Sequence, residues 1–216
     1  MDKTKILESI KKARDASSKK KFNQTFDLVI NLKDLNLKNP QQKLDLFVVL
    51  PNGTGKKRKL CALVDNALYT DANKTFDRVI LKEDFPNVTP KEAKKIASEY
   101  DFFIAQADIM PDIAKNFGKI LGVRGKMPNP KSGAIVPPKV ILQQVYDKFQ
   151  KIVRLITKNE LTTKCAVGIE SMSDEEIADN ILAVYNAVLH AVPQEQSNIR
   201  KVQLKLTMGT PVEVSN

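Results

Sequence analysis

Apolar and polar residues alternate along the two ends of the chain with the periods of a helix and of half-buried strands. Ile6, Ile10 and Ala13 recur at helical spacing, which predicts an amphipathic helix over 3–20. From Phe26 to Leu32 every second residue is apolar, the period of a strand with one buried face. Comparable patterns predict further strands over 44–50, 152–156, 164–169, 202–207 and 212–214.

The middle of the chain has a different pattern. Short apolar runs over 60–64, 79–81 and 102–105 alternate with helical patterns over 89–99, 111–117 and from Pro137-Pro138 to 149. The run 102–105 shows no polar alternation, as expected of a strand that is covered on both faces. Strands that alternate with helices predict βαβ units and a mostly parallel sheet.

These two patterns predict two domains. The glycine-rich break at 51–55 and the change near Gln150 place the boundaries, which give a discontinuous α+β domain, 1–55 and 151–216, and an inserted α/β domain, 56–150. The fold class is therefore mixed: an antiparallel sheet with helices, and an inserted Rossmann-like domain of three layers. The insert has neither GxGxxG nor GxxxxGK[ST], so its parallel sheet is no evidence for a nucleotide cofactor.

The stretch 118–131, GKILGVRGKMPNPK, is rich in glycine, proline and basic residues. Glycine costs about 1 kcal/mol inside a helix and proline about 3 kcal/mol, so the sequence predicts a loop over the whole stretch. Two interpretations stay open for its lysines and arginine. The loop carries function on a rigid scaffold, or it is a plain connection with solvated charges.

The net charge of the chain indicates a class of binding partner. The net charge is +10 and the pI is about 9.5, which favours a polyanion, with nucleic acid first and an anionic membrane surface second. No apolar run approaches the roughly 18 residues of a membrane-spanning helix, so we expect a cytoplasmic protein that does not associate with a membrane. Cys61 and Cys165 lie in apolar runs, and we expect buried free thiols rather than a disulfide.

The stretch LGVRGKMPNPKSG resembles the signature of the large-subunit ribosomal protein L-one family. Lys21 to Thr25, Leu206 to Gly209 and DFFIAQADIMP at 101–111 agree with that resemblance, the last with its archaeal or eukaryotic branch. The resemblance covers essentially the whole chain. Two positions depart from it: Val123 replaces a usual proline, and Thr210-Pro211 follows Gly209 where proline usually comes directly.

The resemblance implies a function. Members of this family bind the mobile stalk of large-subunit rRNA, assist the release of exit-site tRNA, and in some cases repress translation by binding their own mRNA. We therefore expect a ribosome-bound RNA-binding protein that is a monomer when free. The alternative from a different class is a small-molecule enzyme built on the α/β insert.

Candidate RNA-binding residues lie near both ends of the chain. A lysine can meet phosphate, an exposed aromatic ring can pack on a sugar or base, and a glycine lets RNA approach the main chain. The alternatives are structural: Phe22 packs the first helix onto the sheet, Asp27 is a solvated strand residue, and Gly209 makes a turn. The full candidate set comprises Lys21, Phe22, Thr25, Asp27, Lys164, Ser171, Thr207, Met208 and Gly209.

Catalytic chemistry is poorly represented. With one histidine, His190, a Ser–His–Asp or Cys–His arrangement has no recognisable motif, and two cysteines with one histidine do not make a structural zinc site. Four aspartates follow or precede predicted elements, where capping and turn roles explain them better than an acid–base or metal site: Asp65, Asp101, Asp108 and Asp112. The sequence predicts no enzyme, no cofactor and no metal.

Overall fold

A computed structural model describes residues 1–18, 20–39, 42–138 and 140–214 of the chain. The helices are α1 Lys3–Asp15, α2 Asn66–Thr75, α3 Pro90–Glu99, α4 Met110–Val123, α5 Leu142–Lys151 and α6 Asp174–Ala191. The strands are β1 Thr25–Leu32, β2 Asp45–Val49, β3 Leu60–Val64, β4 Arg78–Leu81, β5 Phe102–Gln106, β6 Ile135–Val136, β7 Ile152–Ile156, β8 Thr162–Ile169, β9 Ile199–Leu206 and β10 Val212–Val214. None of the helices formed by these residues is long and apolar enough to cross a membrane.

The chain divides into two compact units. Unit 1 comprises Met1–Lys56 and Lys151–Asn216, and unit 2 comprises Lys57–Gln150. Unit 1 has antiparallel sheets with helices, and unit 2 has a parallel sheet, so the predicted mixed fold class is confirmed. That the two units are separable domains stays a prediction.

The main sheet of unit 1 has the strand order β10-β9-β1-β8, and all its pairings are antiparallel. Strands β2 and β7 form a second, two-stranded antiparallel sheet. One face of β1 presents Phe26, Leu28 and Ile30, all fully buried against apolar residues of α1 and α6. A continuous apolar core thus holds both helices on one face of the main sheet.

The first residues of α6 are fixed by side-chain caps and by α1. Ser173 and Glu176 form a capping box, in which each side chain accepts a hydrogen bond from the other residue's backbone N–H. Arg14 of α1 donates to Asp174 at 2.9 Å, and to the carbonyl groups of Glu170 and Met172 at 2.7 and 2.9 Å. These bonds hold the turn between β8 and α6 in place.

Unit 2 has a parallel sheet with the strand order β4-β3-β5-β6 and helices on both faces. On one face Phe117 of α4 packs edge-on against Phe85, with ring centroids 5.3 Å apart. On the other, Phe149 of α5 packs against Phe102 at 5.4 Å. Because helices cover both faces, all five residues of β3 are buried.

The prediction of a loop over all of 118–131 was wrong, because α4 continues through Gly118 and Gly122 to Val123. The burial of Phe117 and Leu121 offsets the helix cost of the two glycines, roughly 1 kcal/mol each. The helix ends in a Schellman motif: Gly125 has φ +67°, its N–H donates to the Gly122 carbonyl at 3.0 Å, and Lys126 N–H donates to the Leu121 carbonyl at 2.9 Å. The loop proper begins at Arg124.

Two other predicted helices have different bounds. Helix α1 ends at Asp15 rather than at 20, since Ser17 hydrogen-bonds the side chain of Gln24 and turns the chain toward β1; Lys19 lies outside the described residues. Helix α5 begins at Leu142, so Pro137 and Pro138 are not its first turn. Lys139, within the predicted span, is also outside the described residues.

Asn180 of α6 connects the first linker, the segment 51–56 that leads into unit 2, to the core of unit 1. Its side chain is fully buried; its Nδ2 donates to the carbonyls of Gly53 at 2.7 Å and Val167 at 2.8 Å, and its Oδ1 accepts from Asn52 N–H at 3.1 Å. One amide therefore satisfies three backbone groups on two segments.

We expect Asn180→Ala to lower the free energy of unfolding of the protein by roughly 2–4 kcal/mol, because it leaves buried carbonyl groups without donors. Urea denaturation followed by circular dichroism measures the change. Asn186→Ala, on the exposed side of the same helix, is the matched control and should change stability by less than about 0.5 kcal/mol. Equal effects of the two variants would contradict this role for Asn180.

Candidate nucleic-acid interface

The face of the main sheet opposite α1 and α6 carries polar and basic side chains. Along β1 the residues that alternate with the buried ones are Asp27, Val29 and Asn31, which are partly exposed. Their cross-strand neighbours on β8 and β9 point the same way. We call this surface the open face, and it consists of Asp27, Val29, Asn31, Thr162, Lys164, Ala166, Lys201, Gln203 and Lys205.

Strand register arranges the open face in three rows. Asp27 lies opposite Lys205, Val29 lies between Lys164 and Gln203, and Asn31 is paired with Thr162 and Lys201. Thr162 Oγ1 donates to Asn31 Oδ1 at 3.0 Å within the last row, and Asn31 Nδ2 donates to Gln203 Oε1 of the middle row at 3.3 Å. The open face therefore combines amides and a hydroxyl held by hydrogen bonds with three lysines.

The edge of the open face is formed where β1 begins and β9 ends. Thr25 N–H donates to Thr207 Oγ1 at 3.1 Å, and Thr207 N–H donates to the Thr25 carbonyl at 3.0 Å. The fully buried side chain of Gln24 accepts from Met208 N–H at 3.2 Å. These bonds hold the turn after β9 against the segment before β1, two parts of the chain more than 180 residues apart.

Two large apolar side chains are exposed at this edge. Phe22 is 52% exposed and Met208 is 64% exposed. The interpretation of Phe22 as a residue that packs α1 onto the sheet is therefore wrong. An exposed aromatic ring and an exposed, flexible thioether each offer apolar area on which a sugar or base can pack.

Ser171 and Lys56 complete the edge. Asn23 Nδ2 donates to Ser171 Oγ at 3.0 Å, which places the turn after β8 beside the segment before β1. Lys56 Nζ donates to Thr25 Oγ1 at 2.6 Å. A cation from the first linker thus lies at the border of the open face.

Comparison with known proteins identifies the family. The model of the Ribosomal protein L1p/L10e family matches residues 11–210. The chain belongs to this family. It is 41% identical to the large ribosomal subunit protein uL1 of Nanoarchaeum equitans over 212 residues, 96% of this chain and 98% of that protein. It is 39% identical to the protein of the same name from Pyrococcus abyssi over 216 residues, 99% of this chain and 96% of that protein.

Membership of the L1p/L10e family confirms the resemblance and the expectation that the chain is a ribosomal protein rather than an enzyme. At the carboxyl edge of the unit 2 sheet, Asp65 has the capping role that the sequence predicts. Asp65 accepts from Asn66 N–H at 2.8 Å as the N-cap of α2, and the buried Gln106 accepts from Asp65 N–H at 3.2 Å. Within the described part of the chain no three His, Cys, Asp or Glu side chains are grouped so as to hold a metal ion.

Both cysteines are free, Cys61 in unit 2 and Cys165 in unit 1. Burial raises the pKa of each thiol to about 12, and the charge of Asp27 adds to the effect at Cys165. The thiols are therefore protonated at neutral pH, when they are poor nucleophiles.

The structure brings most of the predicted site residues of this family member together. Thr25, Thr207, Met208 and Ser171 meet around the start of β1, and Asp27 and Lys164 lie on the open face. Lys21 is exposed close to Phe22 in sequence. Sequence reasoning missed Lys56, which directly follows the glycine-rich break at 51–55 and was counted only as part of the domain boundary. It also missed Lys201, Gln203 and Lys205, which the period of β9 could have identified as one face.

Gly209 has a reason within the protein to lack a side chain. A Cβ at this position would lie 3.3 Å from Leu206 Cβ, closer than such atoms normally pack, and 3.4 Å from Ser17 Cβ, at ordinary contact distance. Glycine therefore lets the turn after β9 pack closely on the end of its own strand. Close approach of RNA to Gly209 stays a prediction, and substitutions there would change packing as well.

Lys126 in the basic loop of unit 2 is used within the protein. Its Nζ donates to the Tyr100 carbonyl at 2.6 Å, and burial lowers its pKa. Arg124 hydrogen-bonds Ser98. Two of the basic groups in this loop thus stabilise the end of α4.

Asp27 is the one acidic member of the open face. Burial raises its pKa above the ordinary value, and the charges of Lys205, Lys56 and Lys164 oppose that shift. The raised pKa means that the ionised carboxylate is less favourable in the folded protein than in the unfolded chain. A carboxylate that the protein retains despite this cost can accept a hydrogen bond from a 2′-OH or a base amine.

We expect Asp27→Asn to stabilise the protein without RNA at neutral pH. Because the pKa of Asp27 is raised, ionisation of its carboxyl group lowers the stability of the folded protein. This cost is absent below the ordinary Asp pKa, where the group is protonated in the folded and the unfolded protein, and it grows as pH rises through the folded-state pKa. The advantage of the variant should therefore shrink as the pH falls from about 7 to about 3.5. Urea denaturation at several pH values measures it.

Asp71→Asn removes the same charge from an exposed position on α2 and is the control for net charge. If Asp27→Asn is less stable than the wild type at neutral pH, the three lysines hold the carboxylate more strongly than burial opposes it. That result would contradict the assigned cause.

Proposed function

We propose that the chain is a constituent of the large ribosomal subunit that binds the stalk of large-subunit rRNA through unit 1. The observation that supports this most is the edge of the open face. Exposed Phe22 and Met208 lie where strands from both ends of the chain meet, beside lysines from three segments. The relatives are named as large ribosomal subunit proteins, which supports the same assignment.

Two kinds of interaction contribute to RNA binding at this surface. Lys56, Lys164 and Lys205 neutralise phosphates, which gives affinity that falls as salt rises. Asp27, Asn31 and Gln203 supply acceptors and donors at fixed positions, which suits recognition of RNA shape and 2′-OH groups. Specific binding should therefore persist in moderate salt, where purely electrostatic binding of unrelated duplex is lost.

The finer roles also belong to this proposal. Bound to the stalk, the protein assists release of exit-site tRNA from the cytoplasmic ribosome. As a free monomer it represses translation by binding a stalk-like structure in its own mRNA. Repression needs no second surface, because the same open face would bind the competing RNA.

We expect Phe22→Ala to raise the Kd for stalk RNA roughly five- to hundredfold, since stacking of a base on an aromatic ring contributes about 1–3 kcal/mol. Met208→Ala should raise the Kd by a smaller factor, because a thioether packs on a base without aromatic stacking. Stability should change little, because more than half of each side chain is exposed. Filter binding or calorimetry at fixed salt gives the Kd, and thermal melting checks the fold. The same variants should weaken binding of the mRNA leader in parallel.

Val123→Ala is the matched control, since Val123 is an apolar residue of unit 2 with 90% exposure. Lys131→Ala tests an exposed lysine of the basic loop. A larger loss of affinity in either control than in Met208→Ala would place RNA recognition on unit 2 and overturn the proposed site.

Removal of unit 2 tests the domain proposal. Leu50 N–H donates to the Lys151 carbonyl at 2.9 Å, so the two linkers are adjacent and a short glycine bridge can join Lys56 to Lys151. We expect the shortened protein to fold and to bind stalk RNA with a Kd within about tenfold of that of the full chain. A folded protein that no longer binds specifically would show that unit 1 alone does not carry the site.

A further inference from the structure

A cleft of about 480 Å³ lies in unit 1 beside the open face. It is formed by the end of β7, the turn that follows, and the start of β8. This volume is within the range of about 300–1,000 Å³ that small-ligand clefts occupy. The residues that line it are Ile156, Lys158, Asn159, Glu160, Thr162 and Lys164.

The base of the cleft is held by hydrogen bonds at both ends of the turn. The buried Thr157 accepts from Leu44 N–H through its hydroxyl at 2.9 Å and donates its own N–H to the Leu44 carbonyl at 2.9 Å. On the other side, Leu32 N–H donates to the Leu161 carbonyl at 2.7 Å. These bonds fix the backbone on both sides of the turn, while Lys158 and Asn159 are exposed at the rim of the cleft.

The lining combines the groups that a nucleotide requires. Lys158 and Lys164 can share a phosphate, and Asn159 offers both a donor and an acceptor to a base edge. Ile156 provides an apolar wall for a sugar. Glu160 repels phosphate but accepts from a 2′-OH or an amine, which favours one orientation of the nucleotide.

We propose that this cleft receives one nucleotide of the RNA strand bound on the open face, with its phosphate between Lys158 and Lys164. The inference rests on the proposed function. A strand is favoured over a free nucleotide because Lys164 belongs both to the cleft and to the open face, where it lies opposite Val29. A strand that crosses the open face reaches the cleft without leaving the protein.

The test uses the full chain with Lys158→Ala and Asn159→Ala combined. We expect the Kd for stalk RNA to rise about five- to fiftyfold, and the salt slope to fall by about one phosphate. Hydroxyl-radical footprinting should lose protection at one nucleotide only. The matched control combines Lys12→Ala with Asn186→Ala, which removes the same two groups from exposed positions on α1 and α6. It should leave the footprint unchanged and affect the Kd less than threefold, on the order of its long-range charge alone.

Each outcome is decisive. Lys158→Glu alone should raise the Kd for stalk RNA more than the double alanine variant does. It replaces the double variant in the test if that variant has a lowered melting temperature. If the wild type binds no stalk RNA, the proposed function itself fails. If it binds and the cleft variant matches the control in Kd and footprint, the proposed function stands and the cleft inference is wrong.

Titration with adenosine monophosphate and with inorganic phosphate tests whether the cleft binds a nucleotide of the RNA strand or a free nucleotide. If adenosine monophosphate binds the wild type but not the cleft variant, while stalk RNA binds both equally, the cleft serves a free nucleotide. That result would overturn the proposal.

Discussion

The antiparallel pairing of β1 with β8 and β9 is the constraint on which unit 1 depends. It joins residues 25–32 to 162–169 and to 199–206, so the first and last parts of the chain form one sheet although unit 2 lies between them in sequence. Closing such long loops costs entropy that grows slowly with length. The apolar core between this sheet and helices α1 and α6 offsets that cost.

The same pairing creates the candidate interface. Asp27, Val29 and Asn31 each lie opposite one lysine of a neighbouring strand only because the register aligns them. A slip of one residue would turn these side chains into the core and the apolar ones to solvent. The recognition surface and the stability of the fold therefore depend on one set of backbone hydrogen bonds.

The interface also shows where stability and function compete. Burial raises the pKa of Asp27 and so makes its ionisation less favourable in the protein without RNA, although the charges of three lysines oppose the shift. Phe22 and Met208 expose apolar area that folding would otherwise bury. RNA that covers these groups would recover part of the cost, which is the behaviour expected of a binding surface.

The sequence by itself determined the mixed fold class, since periods of two and of 3.6 residues follow directly from strand and helix geometry. It also identified the family, through the signature at 121–133 and further matching motifs along the chain. Most candidate residues were found, because Lys21 to Thr25 and Leu206 to Gly209 are recognisable as short motifs.

Tertiary structure decided the rest, because the outcome depended on what each residue packs against. Helix α4 runs through Gly118 and Gly122 since Phe117 and Leu121 bury their side chains, a gain that local propensity does not contain. Phe22 is exposed and Gly209 packs on Ser17, and neither fact can be read from the residue type. Lys56 donates to Thr25, and Asn180 holds the segment before Lys56; both contacts join parts of the chain that are distant in sequence.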